Sequence, residues 1–410
     1  MDPRASVKSQ ASPRTAPSAR PVLRLRPKEG RRVKSGAPWV FSNELALDAA
    51  GKALPPGTEV ELIADDGAAL GAGYFNPKSL IAVRLLGPPG TAFDAEFFGE
   101  KLRRALSLRE ALFTEPYYRL IHAEGDMLPG IVLDRFAETV VAQITTAGME
   151  RLTDTFLVAL DDVIAPNCVI LRNDTPARSL ESLDTYVRVA KGEAPAPMIV
   201  KENGARYLAD PQAGQKSGWY YDQRNNRRFM AMLARGKRVL DAFCYSGGFS
   251  VLAAAQGAVH VTGLDSSVPA LDLARAAAQA NGVEQTCTFK KADVLIELER
   301  LAQTSERFDI VIADPPPFAP SRKDIESGAR AYRKLARLAA SLVAPGGYLM
   351  LASCSHNMAA ERFALECAAG IHRTGRSARL IRQAGAGPDH PVHPMLLETA
   401  YLKALAYAVD

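Results

Sequence analysis

Apolar and polar residues alternate with a period of two through "PVLRLRP" (21–27) and again through "TEVELIADDGAALGAGYFNPKSLIAVRLL" (58–86), in short runs broken by Gly, Pro and Asn. That pattern predicts a small barrel-like β domain over 21–92. The spacing then becomes helical in "DAEFFGEKLRRALSLREALF", and strand-like "GIVLDRF", "TVVAQITT" and "CVILRND" surround a second helical stretch, "MERLTDTFLVALDDVI". These predict a central α/β domain over 93–198, closed by the Pro/Ala/Gly-rich "AKGEAPAPM". From 199 to 410 continuous apolar runs alternate with amphipathic helices, the pattern of a sheet buried on both faces. Seven strands are expected, "RVLDAF", "VHVTGLD", "CTFKKAD", "FDIVIAD", "GYLMLAS", "ARLIRQ" and "TAYLKALAYAV", with five helical connectors. The expected fold class is therefore α/β, with a doubly wound seven-stranded sheet at the C-terminal end. No internal repeat is visible.

Composition narrows this picture. No apolar run approaches 18 residues, so neither a membrane span nor a secretory segment is expected. The five cysteines, at 168, 244, 287, 354 and 367, are odd in number and lack C-x-x-C spacing. This argues against a disulfide framework and against a metal site, and places the chain in a reducing cytoplasm. Residues 1–38 carry ten Lys/Arg against two acids, leaving the rest of the chain at −3 of the formal +5. Such an N-terminal excess suits attraction to nucleic-acid phosphates, and it equally suits a solvated tail. Residues 1–20, rich in Pro, Ser and Ala, are expected to be a disordered basic tail. They hold too few large apolar residues for an amphipathic transit helix.

Candidate chemistry gathers at the ends of the strands expected over 199–410. "VLDAFCYSGGFSVLAAAQG" joins a buried strand to a helix through Gly247 and Gly248, where backbone can approach a ligand and free N–H groups can face it. An acid ends each of the first four strands: Asp241, Asp265, Asp293 and Asp314. Asp265, 24 residues after Asp241, is placed to take the hydroxyls of a ribose. "DAFCYSGG" is not G-x-G-x-x-G, and the set is similar to that of class I S-adenosylmethionine-dependent methyltransferases. By that resemblance Asp265 with Ser266 would hold the ribose, Asp293 the adenine, and the turn through Phe243, Cys244, Gly247 and Gly248 the methionine end. Asp241 either braces the turn or touches the cofactor, and helix capping is the competing role for any one of these acids.

The fourth strand runs into "IADPPPFAPS", whose prolines cannot continue a central strand and so form a stiff lip. Asp314 and Phe318 could face a flat substrate there, as in adenine amino-methyltransferases, or Phe318 could pack in the core. The fifth strand ends in "LASCSHN", which sets Cys354 beside Asp314. That pair suits methylation at C5 of a pyrimidine, where a thiolate must add at C6 before C5 becomes nucleophilic. Local sequence favours simple packing for Cys354, since cysteine is among the most often buried residues. His356 is either a proton carrier or a surface residue.

Over residues 24–405 the chain resembles bacterial large-subunit rRNA methyltransferases of the I type. The resemblance is carried by "GRRVKSGAPWVFSNEL", "GYFNPKSLIAVRLL", "RLIHAEGDMLPGIVLDRF", "ENGARYLADPQAGQKSGWYYDQRNNR", "DPPPFAPSRKD", "SCSHN" and "DHPVHPMLLETAYLK". It implies a PUA domain, a small central domain, a methyltransferase domain using S-adenosyl-L-methionine, and C5 methylation of a cytosine in 23S rRNA with Cys354 as nucleophile. It also implies RNA contacts by Arg31, Arg32 and Lys34, near Trp39 and Phe41, and a cofactor or RNA border at Asp222, Gln223 and Arg224. A homodimer is compatible with these features. Pro317 stands where the family pattern Asp-Pro-Pro-Lys-Phe has a lysine. The competing functions are direct amine methylation by Asp314 and Phe318, and an RNA-binding assembly factor without turnover.

Overall fold

The computed structural model describes residues 20–215 and 217–410. The tail expected over 1–20 lies, apart from Arg20, outside the described residues. The chain divides into two compact units, Met1–Asp94 and Ala95–Asp410.

The first unit is a five-stranded sheet in the order Val22–Arg24, Thr58–Ile63, Ala69–Phe75, Ile81–Gly87, Trp39–Phe41. Alternation delivers Leu23, Val60, Leu62, Phe75 and Val83 to one core. Gly73 is required where strands cross closely, because a Cβ there would lie 2.1 Å from the Arg84 carbonyl oxygen. Arg31, Arg32 and Lys34 occupy one helical turn, Arg31–Lys34. The Arg32 guanidinium lies 5.9 Å from the Phe41 ring centre, and Lys34 pairs with Asp65 at 3.2 Å.

The second unit begins with helix Ala95–Leu112 and a five-stranded sheet in the order Tyr186–Lys191, Cys168–Asn173, Thr139–Ile144, Ile131–Phe136, Tyr117–His122. A hairpin, Met198–Glu202 with Ala205–Ala209, follows. The boundary expected at 198/199 is bridged by a continuous core: Tyr117, Phe136 and Ile170 of this sheet, Val200 and Tyr207 of the hairpin, and Leu271 and Ala274 farther on pack together.

The seven-stranded sheet comprises β1 (Arg238–Ala242), β2 (His260–Asp265), β3 (Cys287–Lys291), β4 (Phe308–Ala313), β5 (Val343–Ser353), β6 (Ala378–Ala384) and β7 (Lys403–Val409). Helices α1 (Gly248–Ala255), α2 (Val268–Ala280), α3 (Val294–Ala302), α4 (Ile325–Leu342) and α5 (Ala360–His372) connect them. The order is β3-β2-β1-β4-β5-β7-β6, parallel through β5, with β7 antiparallel between β5 and β6. All seven expected strands are present. Reversal of order at β1/β4 opens a crevice at their carboxyl ends, where ligands of such sheets bind.

Buried ion pairs clamp the segment between β6 and β7 to the central sheet. Arg109, fully buried, makes a two-pronged bond to Asp126 at 2.6 and 2.7 Å and donates to the Asp389 carbonyl at 3.0 Å. The Arg119 backbone N–H donates to the Asp389 carboxylate, which also meets His390 Nδ1 at 3.0 Å. Replacing Arg109 by Ala strands a buried carboxylate. It is expected to cost roughly 3–5 kcal/mol, read as a lowered urea midpoint with unchanged slope.

Candidate functional site

At the carboxyl edge of the sheet a cavity of about 520 Å³ opens, well within the range of small-molecule sites. Its wall brings together Phe243, Cys244, Gly248, Asp265, Ser266, Asp293, Asp314 and Cys354. Residues spread from 243 to 354 thus share one space, and three of the four strand-end acids are among them.

The turn after β1 lines the cavity with Phe243, Cys244, Tyr245, Ser246 and Gly248. Gly247, at φ +79°, caps α1, and a Cβ on Gly248 would meet Arg227 Nε at 2.6 Å. Phe243 and Tyr245 also adopt positive φ, at 66° and 48°, a strained arrangement for non-glycine residues that is held by surrounding bonds. One of those bonds is Tyr245 N–H to Asp265 Oδ2 at 2.9 Å, while Asp265 Oδ1 accepts from Ser267 N–H at 2.9 Å. Asp241 is buried beneath the turn and accepts from the Ser250 N–H and hydroxyl at 3.0 and 2.6 Å. It is a brace, and burial pushes its pKa up to about 6. Asp293 does two things: it caps α3 through Ile296 N–H at 3.2 Å and lines the cavity. The Cys244 thiol is pushed well up by burial.

The other half of the site is the end of β5. Ser353 and Ser355 flank Cys354 and turn away from it into the core, both bonding the Tyr332 hydroxyl of α4 at 2.8 Å. Ser355 Oγ also accepts from Ala319 N–H at 3.2 Å, and Asn357 Nδ2 donates to the Pro320 carbonyl at 3.0 Å. The proline lip and the end of β5 are therefore one rigid piece, and the alternation of the strand leaves Cys354 facing the cavity. Part of Asp314 opens onto the same space. Desolvation first, then repulsion from Asp222, pushes its pKa up to about 7, against the opposing pull of Arg227 and a hydrogen bond from Gln223.

Two expected contacts fall elsewhere. Phe318 does not line the cavity; its ring packs 4.9 Å from Tyr332 at the edge of the main core, because the third proline carries it past the lip. Arg224, at the start of the helix Arg224–Met232, is buried among Phe113 and Tyr221 and bonded to the Tyr117 carbonyl, so it joins that helix to the strand Tyr117–His122. Arg227, one helical turn on, takes the place expected for Arg224. It pairs with Glu202 at 2.7 Å, donates to the Tyr220 carbonyl at 2.7 Å and lies 4.3 Å over the Trp219 ring. Trp219, Tyr220, Asp222, Gln223 and Arg227 all line the cavity. The aromatic run "WYYDQ" was the available signal for Trp219 and Tyr220.

An S-adenosyl ligand suits this wall. Asp265 and Asp293 offer acceptors to hydroxyls and an amine, aromatic rings offer faces, and Ser246 Oγ, fully buried in the wall, has no hydrogen bond to any described residue. The fold and this cavity define an S-adenosylmethionine-dependent methyltransferase, and residues 182–408 match that family, while residues 23–88 match a PUA-like domain. The chain is 36% identical over 394 residues to the Shewanella denitrificans protein named Ribosomal RNA large subunit methyltransferase I, covering 94% of this chain and 99% of that one. An Aeromonas hydrophila protein of the same name is 36% identical over 376 residues, covering 90% and 94%. The chain belongs to the family of these large-subunit methyltransferases. Its fold matches that of a Streptococcus mutans protein described as a SAM-dependent methyltransferase, with a TM-score of 0.80 at 22% identity, covering 95% of this chain and all of that one. A methyltransferase solved with SAH gives 0.81 at 21% identity, with the same coverage.

The raised Asp314 has a stability consequence with a definite sign. Between about pH 4 and pH 7 the unfolded chain loses this proton while the folded chain keeps it, so stability falls as pH rises through that window and levels off above it. Asp314→Asn removes this decline. Denaturation from pH 4 to 8 should show the variant gaining on the wild type with rising pH, by roughly 1–4 kcal/mol at pH 8.

Proposed function

We propose that the chain transfers a methyl group from S-adenosylmethionine to C5 of a cytosine in large-subunit ribosomal RNA, through a covalent bond between Cys354 and C6. The observation that carries this reading is the opening of Cys354 and Asp314 onto one cavity with the cofactor-type acids. The large-subunit rRNA named for the relatives supplies the substrate class.

In the proposed reaction a cytosine leaves its stack to enter the cavity. The Cys354 thiolate adds to C6, and the C5–C6 π electrons become available at C5. Asp314, whose pKa lies near neutrality, donates a proton or hydrogen bond at N3 and so offsets the charge that develops on the ring. The bound cofactor supplies an electrophilic methyl group on a sulfonium. C5 would take that methyl as the sulfonium carbon–sulfur bond breaks and leaves its electron pair on sulfur; the C5 proton passes to water, any proton given to N3 returns to Asp314, the double bond re-forms and the thiolate leaves, so one proton is exchanged for one methyl group. Asp265 would hold the ribose and Asp293 the adenine, with Gly247 and Gly248 giving backbone access at the methionine end. Arg31, Arg32 and Lys34 would meet RNA phosphates on the PUA-like unit.

Direct methylation of an exocyclic amine is the weaker reading, because the aromatic side chain it needs, Phe318, packs against Tyr332. Labelled methyl transfer to unmodified ribosomal RNA, with the product nucleoside identified by mass spectrometry, tests the choice. 5-Methylcytidine is expected from the wild type and a loss of at least about 1,000-fold from Cys354→Ala; a variant that still transfers methyl at a near-normal rate sinks the covalent route. Asp265→Ala should weaken cofactor binding about 10–100-fold by calorimetry, the value of a charge-assisted hydrogen bond.

A further inference from the structure

The strand β7 reads KALAYAV and is buried along most of its length, yet it starts with a lysine. Antiparallel pairing sets Lys403 opposite Ser353, the residue before Cys354. The side chain is nine-tenths buried, and its ammonium donates to the carbonyl of Ser355, the residue after Cys354, at 2.6 Å. A buried cation is costly, and one backbone carbonyl is a modest return for it. Its surroundings suggest the reason. Four side chains from separate elements share an electrostatic environment with the Cys354 thiol: Tyr220 from the segment before the helix Arg224–Met232, Tyr332 from α4, Tyr401 just ahead of β7, and Lys403 itself. Burial keeps the three phenols protonated and therefore neutral. Asp222, Asp265 and Asp293 line the same cavity and oppose a second anion, while the Arg227 guanidinium in that wall is already paired with Glu202 at 2.7 Å. His356 is stacked on Tyr401 with ring centres 5.1 Å apart at the exposed rim. Lys403 is the cation of this group. Burial lowers its pKa to about 8, and the Cys354 thiolate is the one charge that works in the opposite direction.

We propose that Lys403 is a positioning residue for Cys354: anchored on the Ser355 carbonyl, its ammonium supplies the positive charge against which the thiolate forms. This rests on reading Cys354 as the nucleophile, and it adds how a thiol in an acid-lined cavity becomes reactive at neutral pH. Lys403 touches neither cofactor nor base in this role; it acts through the sulfur and through the backbone that carries it.

The test reads the thiol directly in the full-length protein. The rate of iodoacetamide labelling of Cys354 is followed by peptide mass spectrometry from pH 6 to 10.5 in the wild type, Lys403→Met and Lys403→Arg. The wild-type midpoint should lie below the free-cysteine value of about 8.5. Lys403→Met should raise it by about one unit or more and slow labelling at pH 7 about 10-fold, while reaching the wild-type plateau at high pH. Lys403→Arg should keep the midpoint within about half a unit. An unshifted midpoint in Lys403→Met, or equal shifts in both variants, overturns the proposal. A lowered high-pH plateau without a midpoint shift also overturns it, since that is the mark of altered access alone. Labelling needs no methyl transfer, so the loss of the covalent route, read from Cys354→Ala, stays distinguishable from the loss of this one.

Discussion

The buried pair of Arg227 with Glu202 is the joint on which the site depends. Glu202 comes from the hairpin, Arg227 from the helix that precedes β1, and the guanidinium also carries Trp219 and the Tyr220 carbonyl. Gly248 has no side chain because that guanidinium occupies the space. One charge pair thus seats an aromatic wall against the start of α1. Two charges taken out of water repay their desolvation only with full hydrogen bonding. Here the carboxylate also accepts from Trp219 Nε1 at 3.2 Å, which helps meet that condition.

At the opposite wall the same logic uses hydroxyls in place of charges. Tyr332 reaches from α4 to both serines around Cys354, and the proline lip is bonded to one of them. The thiol consequently sits on a strand end whose neighbours are locked in place, so its direction is decided by folding and not by the arrival of a substrate. The two walls differ in electrostatic character. The cofactor side gathers carboxylates, among which burial pushes Asp241 up to about 6, whereas the thiol side is faced by phenols and one ammonium.

Legibility followed the range of the forces involved. The seven strands, their connectors and the four strand-end acids were readable because period, turn chemistry and burial act over a few residues. Three of those acids line the cavity and Asp241 braces its turn. The choice between Arg224 and Arg227 was not readable, since it depends on where Glu202 and Tyr117 arrive from distant elements. The sequence allows Phe318 either to face a substrate or to pack in the core, and the ring of Tyr332, brought by α4, supplies the packing partner that sequence does not reveal. Lys403 carried a signal, a charge at the head of an apolar strand, but its meaning required the antiparallel register with Ser353. The continuity of the core across residue 198 was equally hidden, because a Pro/Gly-rich segment says nothing about what packs on either side of it.

The reversed direction of β7 has a consequence in time. A strand running with the others would have brought its last residue to the reactive edge; this one brings its first, after a clamped excursion from β6 that also delivers Tyr401 and Leu402. Every other wall of the cavity is encoded before residue 355. During synthesis, then, a nascent chain can complete the cofactor side of the pocket while the end of β5 still lacks Tyr401 and Lys403, and Cys354 acquires its full surroundings only as the final strand is laid into the sheet.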